Sequence, residues 1–326
     1  MNDLMTIGFA GDVMLGRTLD RIISARGYNY PWGNVLPLMK SLDANIINLE
    51  TTLTRSKKQL VKTFNFKASP DKVQSLVNAN VTIANLANNH ILDYEKEGLL
   101  ETIDTLDKAG IKHVGAGTNN EMATLPLLIS IKDIRIGVIG LTDNEPEWKA
   151  DTEPGTFFIN VEDKTDREKV LKKIENLKKK TDIVIVSIHW GPNKREQPTQ
   201  EFIRFAHTMV DRGADVIHGH SAHILQGVEN YNNRLILYDT GDFVDDYVVD
   251  PELRNDLSTF FILTVGKLGL VSLSLVPVRI FQYQVNLAPQ ADYNWVLTRM
   301  NRLSSYFKTN IDVEGKVHFN SPLSAQ

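Results

Sequence analysis

Residues 182–220, DIVIVSIHWGPNKREQPTQEFIRFAHTMVDRGADVIHGH, show the secondary-structure pattern of the chain most clearly. Its β-branched apolar run at residues 182–188 predicts a buried strand, and residues 198–211 have the periodicity of an amphipathic helix. A short second apolar run follows at residues 215–217, and a histidine comes directly after each of the two runs. Strand, helix and strand in this order predict a β-α-β unit with parallel strands.

The same alternation extends on both sides of this unit and predicts an α/β fold with a largely parallel sheet. Thr165 and Glu168 have the spacing of a capping box that opens a helix running to residue 180. Further strands are predicted at residues 6–10, 44–49, 81–86 and 134–141, and a further helix at about 94–108. After residue 220 we predict β-hairpin strands at 224–228, 234–238, 258–265 and 270–278, then a helix near 293–306 and a polar tail.

Composition excludes several classes of protein and site. The 326 residues are enough for one large domain or two modest ones. The formal net charge is −4 and no basic patch is visible, so we expect no dedicated nucleic-acid surface. The chain has no cysteine, which excludes disulfides, thiolate-zinc sites and cysteine nucleophiles.

The N-terminal residues lack the features of a signal peptide, and no window reaches the ~20 apolar residues of a membrane span. We therefore expect a soluble, cytoplasmic protein, with a cell-surface location as the alternative if a leader was removed. The sequence does not indicate an oligomeric state.

Polar residues follow the predicted strands at the point where each strand ends. These residues are Asp12, Glu50, Asn89 with His90, His189 and His220. In an α/β sheet, ligands bind outside the carboxyl ends of the strands, so these side chains are expected to converge on one site. Carboxylates, an amide oxygen and imidazoles suit Mn, Fe or Zn better than Ca or Mg. The pattern predicts a centre for one or two of these divalent ions.

Each of these residues taken alone also has a structural interpretation. Asp12 is able to cap a helix after a turn, Glu50 to be a surface acid, and His189 to pack in the core. Asn88 and Asn89 suit a loop with left-handed backbone. The run His218-Gly219-His220-Ser221-Ala222-His223 favours metal ligation more strongly, because three imidazoles within six residues rarely serve packing.

Seven motifs in the order found here make the chain similar to a known family, the CapA-type capsule or poly-γ-glutamate biosynthesis proteins. That family is a branch of the calcineurin-like metallophosphoesterases. The motifs are GDVMLGR at 11–17, NLETTL at 48–53, FKASP at 66–70, LANNHILD at 86–93, SIHWG at 187–191, GHSAHILQGVE at 219–229 and YDTGDF at 238–243.

The resemblance implies a four-layer metallophosphoesterase-like sandwich, in which two facing mixed sheets are flanked by helices. It assigns residues 1–285 to this domain, and residues 286–326 to a C-terminal helix and tail that pack on it. It also implies an anionic substrate, either a small molecule or a polymer.

The resemblance further implies roles for individual residues. The metal ligands would be Asp12, Glu50, Asn89, His189, His220 and His223, with Glu50 as a bridging carboxylate. His90, Asp12 and Asn89 would be catalytic. Substrate contacts or supporting contacts would come from Arg17, Lys67, Asp93, Trp190 and Asp242.

Four positions depart from the patterns of related proteins. The wider superfamily has histidine where this chain has Met14, and CapA-like chains have proline at Ala222 and asparagine at Asp242. An aliphatic residue is expected at His218.

Three functions fit the sequence. The first is hydrolysis of a phosphoester by a metal-bound hydroxide, since bridging two cations lowers the pKa of a water molecule towards neutrality. The second is cleavage or transfer at a γ-glutamyl amide. The third is a non-catalytic, metal-binding assembly protein of a capsule polymer system. Membership of a family does not decide among them.

Overall fold

The computed structural model of the protein describes residues 4–320. The strands in this part of the chain are β1 (Met5–Val13), β2 (Ala44–Leu49), β3 (Thr52–Leu53), β4 (Lys67–Ala68), β5 (Val81–Asn85), β6 (Lys112–Val114), β7 (Ala116–Gly117), β8 (Leu127–Ile131), β9 (Ile134–Thr142), β10 (Gly155–Thr156), β11 (Ile183–His189), β12 (Val216–His220), β13 (Val228–Tyr231), β14 (Arg234–Leu237), β15 (Asp242–Val244), β16 (Leu257–Gly266), β17 (Gly269–Phe281), β18 (Gln284–Leu287) and β19 (Lys316–His318).

Helices alternate with these strands through most of the chain. The α-helices are α1 (Thr18–Arg26), α2 (Leu36–Ser41), α3 (Val73–Asn78), α4 (Glu95–Lys108), α5 (Asn120–Ala123), α6 (Lys164–Lys178), α7 (Gln200–Asp211) and α8 (Gln290–Ser305). Short 3₁₀ segments cover Tyr30–Val35, Pro70–Lys72 and Pro146–Trp148.

The strands form two large mixed sheets and two small two-stranded ones. The nine-stranded sheet has the order β18-β17-β16-β1-β2-β5-β6, with β15 beside β1 and β19 beside β17. The six-stranded sheet has the order β13-β14-β12-β11-β9-β8. The predicted β-α-β units are parallel, as in β9-β11-β12, while β16 and β17 form an antiparallel hairpin. The alternation of elements alone predicted a largely parallel sheet, whereas both large sheets are mixed.

The two large sheets face each other and bury a common core. Phe9 and Ile46 of the nine-stranded sheet belong to the same apolar cluster as Val138 and Ile185 of the six-stranded sheet. A second cluster packs α1, α3 and α4 on the outer face of the larger sheet. A third cluster packs α6 and α7 on the outer face of the smaller one. This confirms the four-layer metallophosphoesterase-like sandwich.

Two local predictions are wrong. Helix α6 begins one residue before the predicted capping box, and its cap is Asp163, whose carboxylate accepts a hydrogen bond from the amide of Asp166 at 2.8 Å. The predicted strand at 224–228 is absent, since Leu225 forms only an isolated bridge with Thr240. Strand β13 begins only at Val228.

The C-terminal helix packs between the sheets. Val296 and Met300 of α8 belong to the cluster that the two sheets share. The domain boundary predicted at residue 285 falls inside β18, and the division itself stays a prediction. Residues 321–326 of the predicted tail lie outside the described residues. Within residues 4–320, every helix is too short or too polar to cross a membrane.

Candidate metal centre

Four side chains that are able to bind metal ions meet where the two large sheets share an end. Asp12 lies next to the end of β1, and Asp242 at the start of β15 is its register partner. His189 and His220 are the last residues of β11 and β12 and are also register partners. All four are buried, so the sheet edges bring carboxylates from one sheet against imidazoles from the other.

Two glycines allow the backbone to pass close to these side chains. A Cβ atom at Gly11 would lie 1.8 Å from the carbonyl oxygen of Gly241, and one at Gly219 would lie 2.1 Å from that of Tyr238. In the space left at Gly11, the amide of Asp12 donates to the Gly241 carbonyl at 3.0 Å. The glycines beside Asp12 and His220 are therefore required by close packing.

The candidate ligands form two groups that share Asp12. One contains Asp12, His189 and His220, and the other contains Asp12, Glu50 and His223; in each, the ligand atoms lie within 4.8 Å of one another. Asp12 Oδ1 is 3.9 Å from Nδ1 of both His189 and His220, and Asp12 Oδ2 is 3.2 Å from Nδ1 of His223. Each carboxylate oxygen of Asp12 thus faces a different group, while Glu50 lies in one group only.

The carboxylates carry more buried negative charge than the neighbouring residues compensate. Neither oxygen of Glu50 has a hydrogen-bond partner, nor does Asp242 Oδ2. Burial, and then the charge of Asp12, raise the pKa of Glu50 well above its ordinary value, and burial raises the pKa of Asp242 to about 6. For Asp12, the hydrogen bond to His223 and the charges of the histidines outweigh burial and hold its pKa below the ordinary value.

His189 and His220 are held in the neutral form that binds metal ions, whereas the charge of Asp242 and the hydrogen bond to Asp12 outweigh burial and raise the pKa of His223 well above its ordinary value. Burial lowers the pKa of His189 to about 3 and that of His220 well below its ordinary value. The Nδ1 atoms of these two rings face each other at 2.9 Å. Ser187 Oγ lies 3.1 Å from Nε2 of His220, which fixes the ring with Nδ1 towards Asp12.

This set of side chains fits divalent cations. Carboxylate oxygens without partners are costly to bury, and a cation among them removes that cost. Imidazoles and carboxylates are also the ligand types that divalent transition metals prefer, and a bound cation would favour the deprotonated form of each. The residues of both groups therefore suit a metal centre in composition, in spacing and in charge.

His90 lies beside the centre and is oriented by Asp93. Its Nδ1 is 2.6 Å from Asp93 Oδ2, and its Nε2 is 3.7 Å from Glu50 Oε1. Asp93 is fixed in turn by the amide of Phe66 at 2.7 Å and by Lys62 Nζ at 2.9 Å. Because a carboxylate oxygen accepts, Nδ1 of His90 donates and Nε2 is the ring nitrogen directed at the centre. Burial lowers the pKa of His90 below its ordinary value.

The structure brings Asn89 to the same place. Its amide oxygen Oδ1 lies 3.1 Å from Nε2 of His189, and its backbone carbonyl accepts a hydrogen bond from Lys62. The amide oxygen therefore lies at the side of the Asp12–His189–His220 group. Nothing in the sequence distinguishes Lys62 from the other lysines of its polar segment, and the sequence prediction missed it.

Among the predicted substrate contacts, Lys67 and Trp190 are directed elsewhere. Lys67 Nζ donates to the Ser56 carbonyl at 2.8 Å and lies 4.5 Å from the centre of the Tyr94 ring. The buried indole of Trp190 donates to the Tyr238 carbonyl at 2.9 Å. Its backbone amide donates to the His220 carbonyl at 3.0 Å, so Trp190 supports the strand that carries this histidine.

A network of asparagines supports the centre and was also missed. Asn48 Nδ2 donates to Asp12 Oδ1 at 2.7 Å, and Asn48 Oδ1 accepts from Asn85 and from Asn88, both at 3.1 Å. Asn88 Oδ1 accepts from the amide of His90 at 3.0 Å. Asparagine is disfavoured inside strands, so its presence within the apolar runs of β2 and β5 was the available signal.

The structure gives distinct surroundings to Met14, Asp242 and His218, three of the four positions that depart from the family pattern, and does not explain Ala222. Met14 is buried, and the Asp12–Glu50 group takes its imidazole from His223 instead. His223 Nδ1 also lies 2.9 Å from Oδ1 of Asp242, which orients it. His218 belongs to neither group, since its ring nitrogens contact Ser187 Oγ at 3.2 Å and the Ala10 carbonyl at 3.1 Å.

Comparisons with known proteins agree with this architecture. The chain is 31% identical to a probable polyglutamine synthesis accessory protein of Mycobacterium tuberculosis, over 94% of this chain and 92% of that one. It is 32% identical to the capsule biosynthesis protein CapA of Bacillus anthracis, over 75% of this chain and 61% of that one.

Among solved structures, a hypothetical protein from Thermus thermophilus has a TM-score of 0.50 and 15% sequence identity. The match covers 84% of this chain and 98% of the Thermus chain, which is a likeness of fold. Residues 6–247, which carry every candidate ligand described above, match the family described as bacterial capsule synthesis protein PGA_cap. The chain therefore belongs to the PGA_cap family of bacterial capsule synthesis proteins.

Proposed function

We propose that the protein is a metal-dependent hydrolase that cleaves a phosphoester at the centre around Asp12. The observation that carries this proposal is that the two oxygens of one buried carboxylate, Asp12, face two separate ligand groups. Two divalent cations that share a carboxylate are a recurrent arrangement in phosphoryl-transfer enzymes.

In this proposal, one ion is held by Asp12, Glu50 and His223, and the other by Asp12, His189 and His220, with the amide oxygen of Asn89 beside the second group. The mixture of carboxylate, amide and imidazole ligands favours Mn, Fe or Zn. When bound, such ions supply Lewis acidity and lower the pKa of water towards neutrality.

His90 is the proposed proton donor to the leaving group. Asp93 accepts from Nδ1 of this ring, so Nε2 is the nitrogen that faces the reacting atoms. Phe66 packs edge-on against the imidazole, with ring centroids 4.3 Å apart, and keeps water away from one side. To act as a general acid, His90 would carry a proton on each ring nitrogen and pass the one on Nε2 to the leaving group, while Nδ1 stays bonded to Asp93.

A second candidate reaction is hydrolysis of a γ-glutamyl amide. It is favoured by the name of one relative, a probable polyglutamine synthesis accessory protein. The same groups would serve it, because amide cleavage also needs a polarised acyl group and a proton for the leaving nitrogen.

The test is an activity panel with purified protein and added Mn. It compares aryl phosphates with γ-glutamyl peptides, each with and without a chelator. We expect chelator-sensitive release of phosphate from the esters. Cleavage of the γ-glutamyl peptides without hydrolysis of the aryl phosphates would contradict the phosphoesterase proposal and support the amide hydrolase. Lack of turnover on both classes would contradict the hydrolase proposal and favour a non-catalytic, metal-binding assembly protein.

A further inference from the structure

A cavity of about 320 Å³ opens beside the candidate metal centre. His223 of the Asp12–Glu50 group forms part of its wall, and Arg17, Phe64, Lys194, Tyr247 and Leu253 form much of the rest. A molecule bound at the centre would therefore extend into this cavity, which we call the Arg17 cavity.

Arg17 is a cation of this cavity that retains a donor without a partner. Its Nε lies 3.5 Å from Asp246 Oδ2, its Nη1 is buried without a hydrogen-bond partner, and 33% of its side chain is exposed. The guanidinium carbon lies 5.3 Å from the ring centre of Phe64 and 5.1 Å from that of Phe66. Rings on its faces leave the in-plane N–H groups as the edge that is able to bind a ligand.

The acidic residues of the cavity are already occupied. Asp246 accepts from the amide of Thr18 at 3.1 Å as well as facing Arg17. Asp250 is 3.5 Å from Lys194 Nζ and accepts from the amides of Glu252 and Leu253. These carboxylates therefore do not use the remaining donors of Arg17.

Aromatic rings connect Arg17 to the centre. Phe66 contacts the guanidinium on one side and the His90 imidazole on the other, where the ring centroids are 4.3 Å apart. Tyr247 packs against both Phe66 and His223, at 5.9 and 5.2 Å between centroids. Arg17 and His90 thus both contact Phe66, and Tyr247 links Phe66 to the candidate ligand His223, so aromatic rings line the way from Arg17 to the centre.

We propose that Arg17 binds a second anionic group of the substrate, a carboxylate or a phosphate, while the first oxyanion lies at the centre. A short apolar segment of the substrate would join the two groups along Tyr247 and Phe64. The guanidinium forms paired hydrogen bonds with both kinds of oxyanion, which makes Arg17 a specificity residue. This inference rests on the proposed function, because it takes the centre as the site of the first oxyanion.

Binding of alkylphosphonates that cannot be hydrolysed tests the inference. We would measure dissociation constants by isothermal titration calorimetry on Mn-loaded protein, for phosphonates with two to six carbons. At each length the far end is a methyl, a carboxylate or a second phosphonate. In the wild type we expect an anionic end to tighten binding by about 10- to 100-fold at the matching length. The carboxylate and phosphonate arms identify which anion the cavity prefers.

The variant Arg17→Met should bring all three ends to equal affinity, and Arg17→Lys should restore part of the preference. Arg21→Met removes the same charge from an exposed position of α1 and should retain the preference in full. Thermal unfolding of each variant, followed by circular dichroism, verifies folding.

Two results would overturn the inference. One is equal affinity for all three ends in the wild type, and the other is a preference that persists in Arg17→Met. Failure of the proposed function would give a different result. Methyl-ended phosphonates would then not bind to Mn-loaded protein, and aryl phosphates would not be hydrolysed. If the wild type binds methyl-ended phosphonates as tightly as those with an anionic end, the role of Arg17 is refuted while the proposed function stands.

Discussion

At the scale of single residues, His90 connects the metal ligands to the proposed proton transfer. Asp93 accepts a hydrogen bond from Nδ1 of its ring. Nε2 lies 3.7 Å from Glu50, which is too far for a hydrogen bond, so we expect a substrate atom to be its partner. We predict that His90→Ala retains bound metal and loses about 10²- to 10⁴-fold in kcat, the range typical of general acid catalysis. Metal analysis and phosphate release, measured on the same preparation, check both parts.

The matched control is His318→Ala. His318 is an exposed histidine at the far end of the chain whose ring contacts Asp312, and its removal should change neither quantity. Unchanged turnover in His90→Ala would remove this residue from the mechanism. Loss of metal together with turnover would instead indicate that the residue supports the ligands.

Which residues could be predicted depended on their position relative to the strands. Asp12, Glu50, His189 and His220 lie within three residues of the end of an apolar run, and the ends of parallel strands meet at one edge of a sheet. Lys62 comes from a long polar segment, and its contacts with Asn89 and Asp93 depend on how that segment folds back. No periodicity encodes such a contact.

At the scale of elements, the start of α6 shows how two capping signals compete. The carboxylate of Asp163 accepts from the amide of Asp166, whereas the helix already includes Thr165. We predict that Asp163→Ala lowers the free energy of unfolding by about 0.5–2 kcal/mol, the usual range for loss of a cap. The control Thr165→Ala should stay within about 0.5 kcal/mol of the wild type, as exposed substitutions generally do. Urea unfolding of both variants measures the difference, and the reverse order would contradict this assignment of the cap.

The order of helices and strands along the chain could be predicted from the sequence. Which strands lie next to each other, and in which sheet, could not. The apolar run at 182–188 is a buried central strand because its β-branched side chains pack on both faces of the sheet. Yet the run is equally compatible with either large sheet, since hydrophobicity specifies burial and not the neighbour. The segment at 224–228 is buried for another reason: residues 224–227 pack in the core beside His223 without forming a strand, and only Val228 begins β13.

At the scale of the whole molecule, the site exists because two sheets face each other. The β1 carboxylate belongs to one sheet and the β11 and β12 imidazoles to the other, so neither sheet alone contains a complete set of ligands. The alternation of elements predicts parallel units but not their division into two stacked sheets. That division followed from the resemblance of the motifs to a known family, and the shared core of the sheets confirms it.

The most direct test of this account is the metal content of purified protein after growth with Mn, Fe and Zn, measured by inductively coupled plasma mass spectrometry. We predict that the wild type carries at least one of these ions per chain, and two when both ligand groups are filled. Asp12→Ala should lose both, because Asp12 is common to the two groups, whereas His220→Ala and His223→Ala should each lose one. A folded wild type without these ions, or a folded Asp12→Ala with an undiminished content, would contradict the convergence of these residues on a metal centre.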